Sequence, residues 1–289
     1  MVPLGVAFGL GAALSWGVAD YFIALTARRV GALRVALGFH LVALVPLGVL
    51  VLATNALAHV TWHEVLVFAL IGSIGWLSYL AFYGALKAGP ISLVSPIAAC
   101  YAAVTVVLAV VIVGERISWP ETVAIIVTLG GAMLASADVR EIATATIRQR
   151  ATGGVGLAIC AMVLFGGYVF GISYYKGIGW LAPIFLARGF TALFLLAHAG
   201  RSRELLWPDP SPAALAVIAL IAALDTGGYV FFNVGVRHAA TSVVATASAA
   251  YAVVPILMGV SLLRERPNRT QWVGVAVVCG GLVLLGIGA

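Results

Sequence analysis

Ten continuous apolar runs divide the chain, over 3–25, 34–53, 64–86, 91–113, 119–136, 154–175, 180–199, 212–235, 240–263 and 269–288. Each is close to the roughly 20 residues that a helix needs to cross a bilayer. Barrel strands would alternate apolar and polar positions, and these runs do not, so the pattern predicts helices. The connections are mostly short, which makes neighbouring helices antiparallel. The longest polar segment, 138–152, falls at the midpoint, and WPDPSP over 207–212 is the other clear loop, with prolines that stop one helix and can open the next. The opening MVPLGVAFGL has no basic n-region and no cleavage site before a polar mature domain, so it reads as the first span and not as a removed signal.

The pattern also repeats. Segment 89–116, GPISLVSPIAACYAAVTVVLAVVIVGER, lies without a gap on 239–266, AATSVVATASAAYAVVPILMGVSLLRER. Ser92 falls on Ser242, Tyr101 on Tyr251 and Glu115-Arg116 on Glu265-Arg266. Tyr79 falls on Tyr229 upstream and Gly130-Gly131 on Gly280-Gly281 downstream. The chain is a tandem duplication, read as a first repeat over 1–136, a linker over 137–152 and a second repeat over 153–289. Five spans per repeat is an odd number, so the second copy enters the membrane in the opposite sense. The expected fold is therefore an all-α integral membrane protein, ten transmembrane helices arranged as two inverted five-helix repeats around a central cavity. In the same register Asp225 stands where the first repeat has Gly75, and Asp20 where the second has Phe170.

Composition excludes a soluble domain: 63% of the residues are hydrophobic, 9% are charged and the mean hydropathy is +1.13, against about 25% charged in soluble chains. The net charge of +6 reflects basic residues at membrane edges and implies no nucleic-acid partner. Twelve Lys and Arg fall in odd-numbered loops and three in even-numbered ones, which puts the odd loops in the cytoplasm and both termini outside. Cys100, Cys160 and Cys279 have no metal-ligand spacing and read as buried reduced thiols. Phosphate-cradling loops, ligand-spaced His or Cys pairs and nucleophile elbows are all missing, so no enzyme, metal or cofactor is expected, and uphill transport would draw on an ion gradient or exchange.

Ionisable and aromatic groups inside spans carry the functional reading, because a charge in hydrocarbon is costly and must face the interior, water or a partner. Asp20 lies late in span 1, with Trp16 one turn earlier on the same face. A ring face beside an acid suits an organic cation, and a desolvated acid suits proton coupling. Asp225 lies nearer mid-span in span 8, followed by Tyr229 and Asn233 in one stripe. Trp76, Tyr79 and Tyr83 form the repeat-related stripe of span 3. Each acid could equally be a structural pair, and the aromatic stripe a packing or interface belt. Arg188 could pair with an Asp or clamp a carboxylate, its plainer reading being a side chain that snorkels to the interface. His40 could relay protons, or could be a satisfied packing residue. Ser95, Tyr101 and Thr105 in span 4, and Thr246, Ser248 and Tyr251 in span 9, complete the candidate lining, with Tyr101 and Tyr251 expected to approach across the pseudo-two-fold axis. Pro255 is expected to kink span 9, whereas Pro96 sits near the start of span 4, where it is better tolerated.

The five-plus-five repeat, SWGVADYF of span 1, ALKAGPISLVSPIAACY, the GER and RER endings of spans 4 and 9 and the closing Gly-Gly pairs together resemble the EamA-type drug/metabolite transporter superfamily, over essentially the whole chain. That resemblance implies a secondary carrier with a central cavity formed by spans 1, 3, 4, 6, 8 and 9, working by alternating access on amino acids, metabolites or organic cations. It also implies cytoplasmic termini, opposite to the charge bias. The expectation is a gradient-coupled carrier of a drug-like amine or metabolite in the plasma (inner) membrane of a prokaryote. Its partners would be lipid, a small-molecule substrate and protons, in a monomer or homodimer. An amino-acid exporter or exchanger of the same fold is the first alternative. A non-transporting scaffold or receptor, whose buried polar groups merely bind helices together, is an alternative of another class.

Overall fold

The structure, a computed structural model, describes residues 2–88, 91–136, 154–175, 177–202, 211–264 and 266–287. The linker expected over 137–152, and most of the 207–212 loop, lie outside the described residues. The first half comprises α1 (Val2–Val30), α2 (Ala32–Thr54), α3 (Trp62–Ala88), α4 (Ile91–Ala99), α5 (Tyr101–Leu108), a π-helical turn (Ala109–Val113) and α6 (Trp119–Ser136). The second comprises α7 (Gly154–Tyr174), α8 (Leu181–Ser202), α9 (Pro212–His238), α10 (Thr241–Ser248), a 3₁₀ turn (Ala249–Ala252), α11 (Val253–Leu263) and α12 (Arg269–Ile287). Spans 4 and 9 are each broken in two, and the described residues hold ten helical spans long and apolar enough to cross a membrane. At 1.5 Å per residue, the 29 residues of α1 run to about 43 Å, beyond the roughly 30 Å hydrocarbon core, so its ends enter the headgroup layers.

The breaks have local causes. Pro255 has no N–H to offer the carbonyl of Tyr251 and its ring crowds that turn, so the chain tightens into the 3₁₀ turn just before it. The helix in span 4 breaks at the equivalent place, Cys100, without a proline there, whereas α4 runs on through Pro96. Here the Thr105 hydroxyl donates to the Tyr101 carbonyl at 3.3 Å and to that of Gly166 at 3.1 Å, satisfying acceptors that a straight helix would have kept internal. Ser211, by contrast, caps α9 as the loop chemistry suggests, accepting from the Ala214 N–H at 3.2 Å with Pro212 in the first turn.

Glycines set how closely the halves approach. A Cβ on Gly131 would sit 2.6 Å from the Val278 nitrogen, and one on Gly281 would overlap Thr128, so α6 and α12 meet almost backbone to backbone about the pseudo-two-fold axis. Gly17 faces the Tyr251 carbonyl and Val254, while Gly166 faces the Tyr101 carbonyl and Val104. Those two glycines are 149 residues apart, whereas their partners are 150 apart. The register therefore slips by one residue between the first span and the rest. Asp20 corresponds to Val169 and not to Phe170, because a one-residue slip turns a side chain by about 100°. Cys100 is half-buried, but Cys160 and Cys279 are exposed on helix exteriors, a correction to the expectation of three buried thiols; apolar runs present one flank outward.

On the face of the even-numbered loops the halves are latched together. Glu115, after the π-helical turn, accepts from the N–H groups of Thr241 at 2.7 Å and Ser242 at 2.9 Å. These are orphan donors at the start of α10, whose own cap residue, Ala240, supplies no side-chain bond.

Candidate functional site

A cavity of about 130 Å³ lies between the halves. On α1, Trp16, Asp20 and Ile23 stand one turn apart and form one face. Facing them are Tyr79, Phe82 and Tyr83 of α3, Ala98 and Tyr101 of the broken span 4, Phe165 and Val169 of α7, Asp225 and Tyr229 of α9, and Tyr251 of the 3₁₀ turn. The walls come from spans 1, 3, 4, 6, 8 and 9, the set that the resemblance implies. They are pseudo-symmetric: Trp16 answers Phe165, Tyr79 answers Tyr229 and Tyr101 answers Tyr251. The last two rings meet with centroids 5.7 Å apart.

Asp225 is the hub of the polar network. Its carboxylate Oδ2 takes a charge-assisted bond from Arg188 Nη1 at 2.5 Å, with the Asp225 and Arg188 side chains 11% and 0% exposed. Its backbone carbonyl accepts from the Trp16 indole Nε1 at 3.1 Å. Gly228, one turn on, leaves room for that indole, which a Cβ would overlap. Trp16 then stands edge-on to Tyr229 at 5.1 Å and to Tyr101 at 6.4 Å. Arg188 does not snorkel. It is held behind the cavity wall, with its guanidinium carbon 5.6 Å from the Tyr229 ring centroid and 5.8 Å from that of Phe39. Its Nε and Nη2 have no hydrogen-bond partner among the described residues.

Asp20 differs from Asp225 in just this respect. Its side chain is open to the cavity, and it makes no hydrogen bond or ion pair among the described residues. The polar network thus neutralises one acid and leaves the other available on an aromatic wall.

Of the sequence candidates, Ser95, Thr105 and Thr246 are not among the described lining and Arg188 lies behind it; Trp76, Asn233, Ser248 and His40 also stand outside the wall. Trp76 turns into the seam between α3 and α8, 5.8 Å from Phe194 and 6.1 Å from His198, where Gly72 lets Phe190 and Thr191 press against α3. Asn233 donates from Nδ2 to the Tyr229 carbonyl at 3.1 Å and so serves its own helix, while Ser248 donates to the Ala245 carbonyl at 2.8 Å and its hydroxyl also bonds Tyr101 of the cavity wall. His40 is buried, with Nδ1 2.8 Å from the Ala36 carbonyl and its ring edge-on to Tyr79 at 5.2 Å. Phe82, Phe165 and Val169 were not singled out from the sequence. The signal for the last two was the repeat itself, read one residue out of phase in the first span. Tyr168 was also missed; it fills the space left by Gly75 beside Thr191.

The model of the EamA-like transporter family matches residues 3–137 and 152–287. The chain belongs to the EamA-like transporter family. It is a membrane transporter of the drug/metabolite transporter superfamily and an integral membrane protein. A solved crystal structure, described simply as that of a protein, superposes with a TM-score of 0.78 at 17% identity, covering 99% of this chain and 97% of the other. At that identity the likeness bears on the fold alone. Among curated proteins none matches the chain significantly.

Proposed function

We propose that this transporter is a secondary carrier of small organic cations, one-ring amines above all, which it moves by alternating access with protons as the coupling ion. The observation that carries the reading is the free carboxylate of Asp20 on an aromatic wall, beside an Asp225 already matched by Arg188. An ammonium group would find its counter-charge at Asp20 and ring faces at Trp16, Tyr101 and Tyr251. The cavity of about 130 Å³ is of the order that accepts a single aromatic ring. Asn or Ser groups to orient a polar ligand are missing from the described wall, and its one neighbouring cation, Arg188, is sealed from it. An amino acid's carboxylate would have no partner there, which disfavours the exporter or exchanger of amino acids. Inverted repeats give the carrier two equivalent packings that expose the cavity to opposite sides. We place the odd-numbered loops in the cytoplasm on the Lys and Arg distribution, in a prokaryotic plasma membrane.

A proton and an amine compete for the same carboxylate in this scheme. Amine affinity therefore rises with pH, and proton entry at Asp20 expels the bound cation. The test is uptake of a labelled one-ring primary amine into proteoliposomes under an imposed pH gradient, with thermal-shift binding across pH. D20N should lose amine binding at least about tenfold and lose its pH dependence, with an unchanged melt in the absence of amine. Transport by D20N with wild-type rate and pH profile would remove Asp20 from the mechanism. Failure of any amine, amino acid or sugar to stabilise the wild-type protein would favour the scaffold reading.

A further inference from the structure

Rings of the central cavity fall into two sets. Trp16, Tyr101 and Tyr251 form one, with Tyr101 6.4 Å from Trp16 and 5.7 Å from Tyr251. Tyr79, Tyr83 and Phe165 form the other, with Tyr79 edge-on to Phe165 at 5.2 Å and 6.1 Å from Tyr83. Asp20 stands between the sets. Its carboxyl is near enough to act electrostatically on Tyr101 and Tyr251 of the first and on Tyr83 of the second. A cation paired with Asp20 therefore has rings on two sides.

The first set offers that cation ring surface more than hydrogen-bonding atoms. The Trp16 indole N–H is already given to the Asp225 carbonyl, and the Tyr101 hydroxyl is bonded to Ser248, which lies outside the lining. Asp225 itself is matched by Arg188, so Asp20 is the charged acceptor left without a partner among the described residues. A primary ammonium brings three N–H donors, and those that miss the carboxylate would meet ring carbon. A tertiary ammonium brings one N–H, which a single carboxylate satisfies. Its methyl groups carry part of the positive charge and rest on ring faces, as in the aromatic cages that hold methylated ammonium groups.

We propose, on the amine reading of the cavity, that its cargo is a tertiary amine: an N,N-dimethylated ammonium group carried on a single ring. The N–H is donated to Asp20, the methyl groups lie against Trp16, Tyr101 and Tyr251, and the ligand's ring takes the space bounded by Tyr79, Tyr83 and Phe165. A cavity of about 130 Å³ holds one ring and little more, so the groups on nitrogen are methyl-sized. Tyr251 is the specificity-determining residue at the nitrogen, and it acts through its ring and not its hydroxyl.

The experiment titrates the purified full-length protein in neutral detergent by calorimetry with two isomers of equal formula and charge. One is N,N-dimethylbenzylamine; the other is a dimethylbenzylamine with both methyl groups on the ring. Near neutral pH both are protonated, so a difference in affinity reports where the methyl groups sit and not how much carbon is buried. The wild-type protein should bind the N-methylated isomer at least about tenfold more tightly. Y251L should lose most of that preference, Y251F should keep it, and D20N should weaken both isomers. Where Y251L does not fold, the comparison of isomers on the wild-type protein decides alone. Equal affinities, or tighter binding of the ring-methylated isomer, in a protein that needs Asp20 for both would overturn the tertiary-amine assignment and leave the amine reading standing. A preference that survives in Y251L or is lost in Y251F would overturn the role given to the Tyr251 ring. Binding of neither isomer, or wild-type binding of both by D20N, would overturn the amine reading and this assignment with it.

Discussion

Replacing Asp225 with Asn tests the hub of the site most directly. The amide keeps the shape of the carboxylate and an oxygen that Arg188 can still donate to, so neither a cavity nor a lost acceptor confuses the result. What goes is the counter-charge of a guanidinium that is 0% exposed. With charge centres about 4 Å apart and an effective dielectric near 20, the attraction is about 4 kcal/mol. That agrees with the roughly 3–5 kcal/mol lost when one member of a buried pair is removed. The Phe39 and Tyr229 rings near Arg188 offset at most about 2 kcal/mol of this. R188M should cost less, about 1–3 kcal/mol, because the Asp225 side chain is 11% exposed and water at the cavity can reach it. The double variant R188M/D225N leaves no buried charge and should return to within about 1 kcal/mol of wild type. Equilibrium unfolding in mixed SDS micelles, with thermal melts as a check, measures all four proteins. Simple addition of the two single losses in the double variant, or a D225N protein that unfolds as wild type, would refute the account of a coupled buried pair.

Three further outcomes follow from the packing. G228A should drive the Trp16 indole off the Asp225 carbonyl, costing about 1–3 kcal/mol and shifting tryptophan emission, whereas G227A, whose Cβ would meet only Ser15 at 3.6 Å, should do neither. G131A should destabilise by a similar amount, since the obstructing atoms are Val277 and Val278 backbone that cannot rotate away. The neighbouring G130A meets nothing within 4 Å and should stabilise by about 0.5–1 kcal/mol through helix propensity; equal melting shifts in the pair would contradict the backbone-contact reading. E115A strips the acceptor from two N–H groups at the start of α10 and should cost about 1–3 kcal/mol, with faster hydrogen exchange confined to Thr241 and Ser242, and protection unchanged there would show that the latch carries no energy.

The helices and the repeat were open to reading in the sequence because both rest on long patterns. A run of about 20 apolar residues leaves few alternatives, and a register carrying Tyr101, Glu115 and Gly131 cannot be produced by apolar composition. What failed to read was local geometry. A one-residue slip between the first span and the rest is invisible when every residue near it is apolar, yet it decides whether Asp20 answers Phe170 or Val169. The Trp76, Tyr79 and Tyr83 stripe is one face of α3 by spacing, but Gly72 admits α8 at its lower turn, so Trp76 enters that seam while the two tyrosines face the cavity. Arg188 shows the same limit. Its length allows it to reach an interface or a buried acid, and only the placement of α9 beside α8 selects Asp225. The Cys100 break carries no proline, so its position could be taken only from the other repeat.

The two halves agree in packing and disagree in polarity, and the disagreement is specific. Gly17 and Gly166 meet equivalent carbonyls, and Tyr101 and Tyr251 meet each other, so the scaffold around the cavity obeys the axis. The charged groups do not. Asp225 stands where the first half has Gly75, and that glycine admits Tyr168 and Thr191 instead of a carboxylate. Trp16 reaches the Asp225 carbonyl through an indole N–H that its counterpart, Phe165, lacks. Asp20 faces a cavity whose matching position, Val169, carries no charge. Had both acids kept an arginine, the cavity would be neutral; had neither, two carboxylates would share a small space and repel. Pairing one and freeing the other leaves a single unmatched carboxyl group at a fixed position on an aromatic wall. On the proposed reading, a cavity so arranged would distinguish ligands by the sign of their charge before it distinguished them by shape.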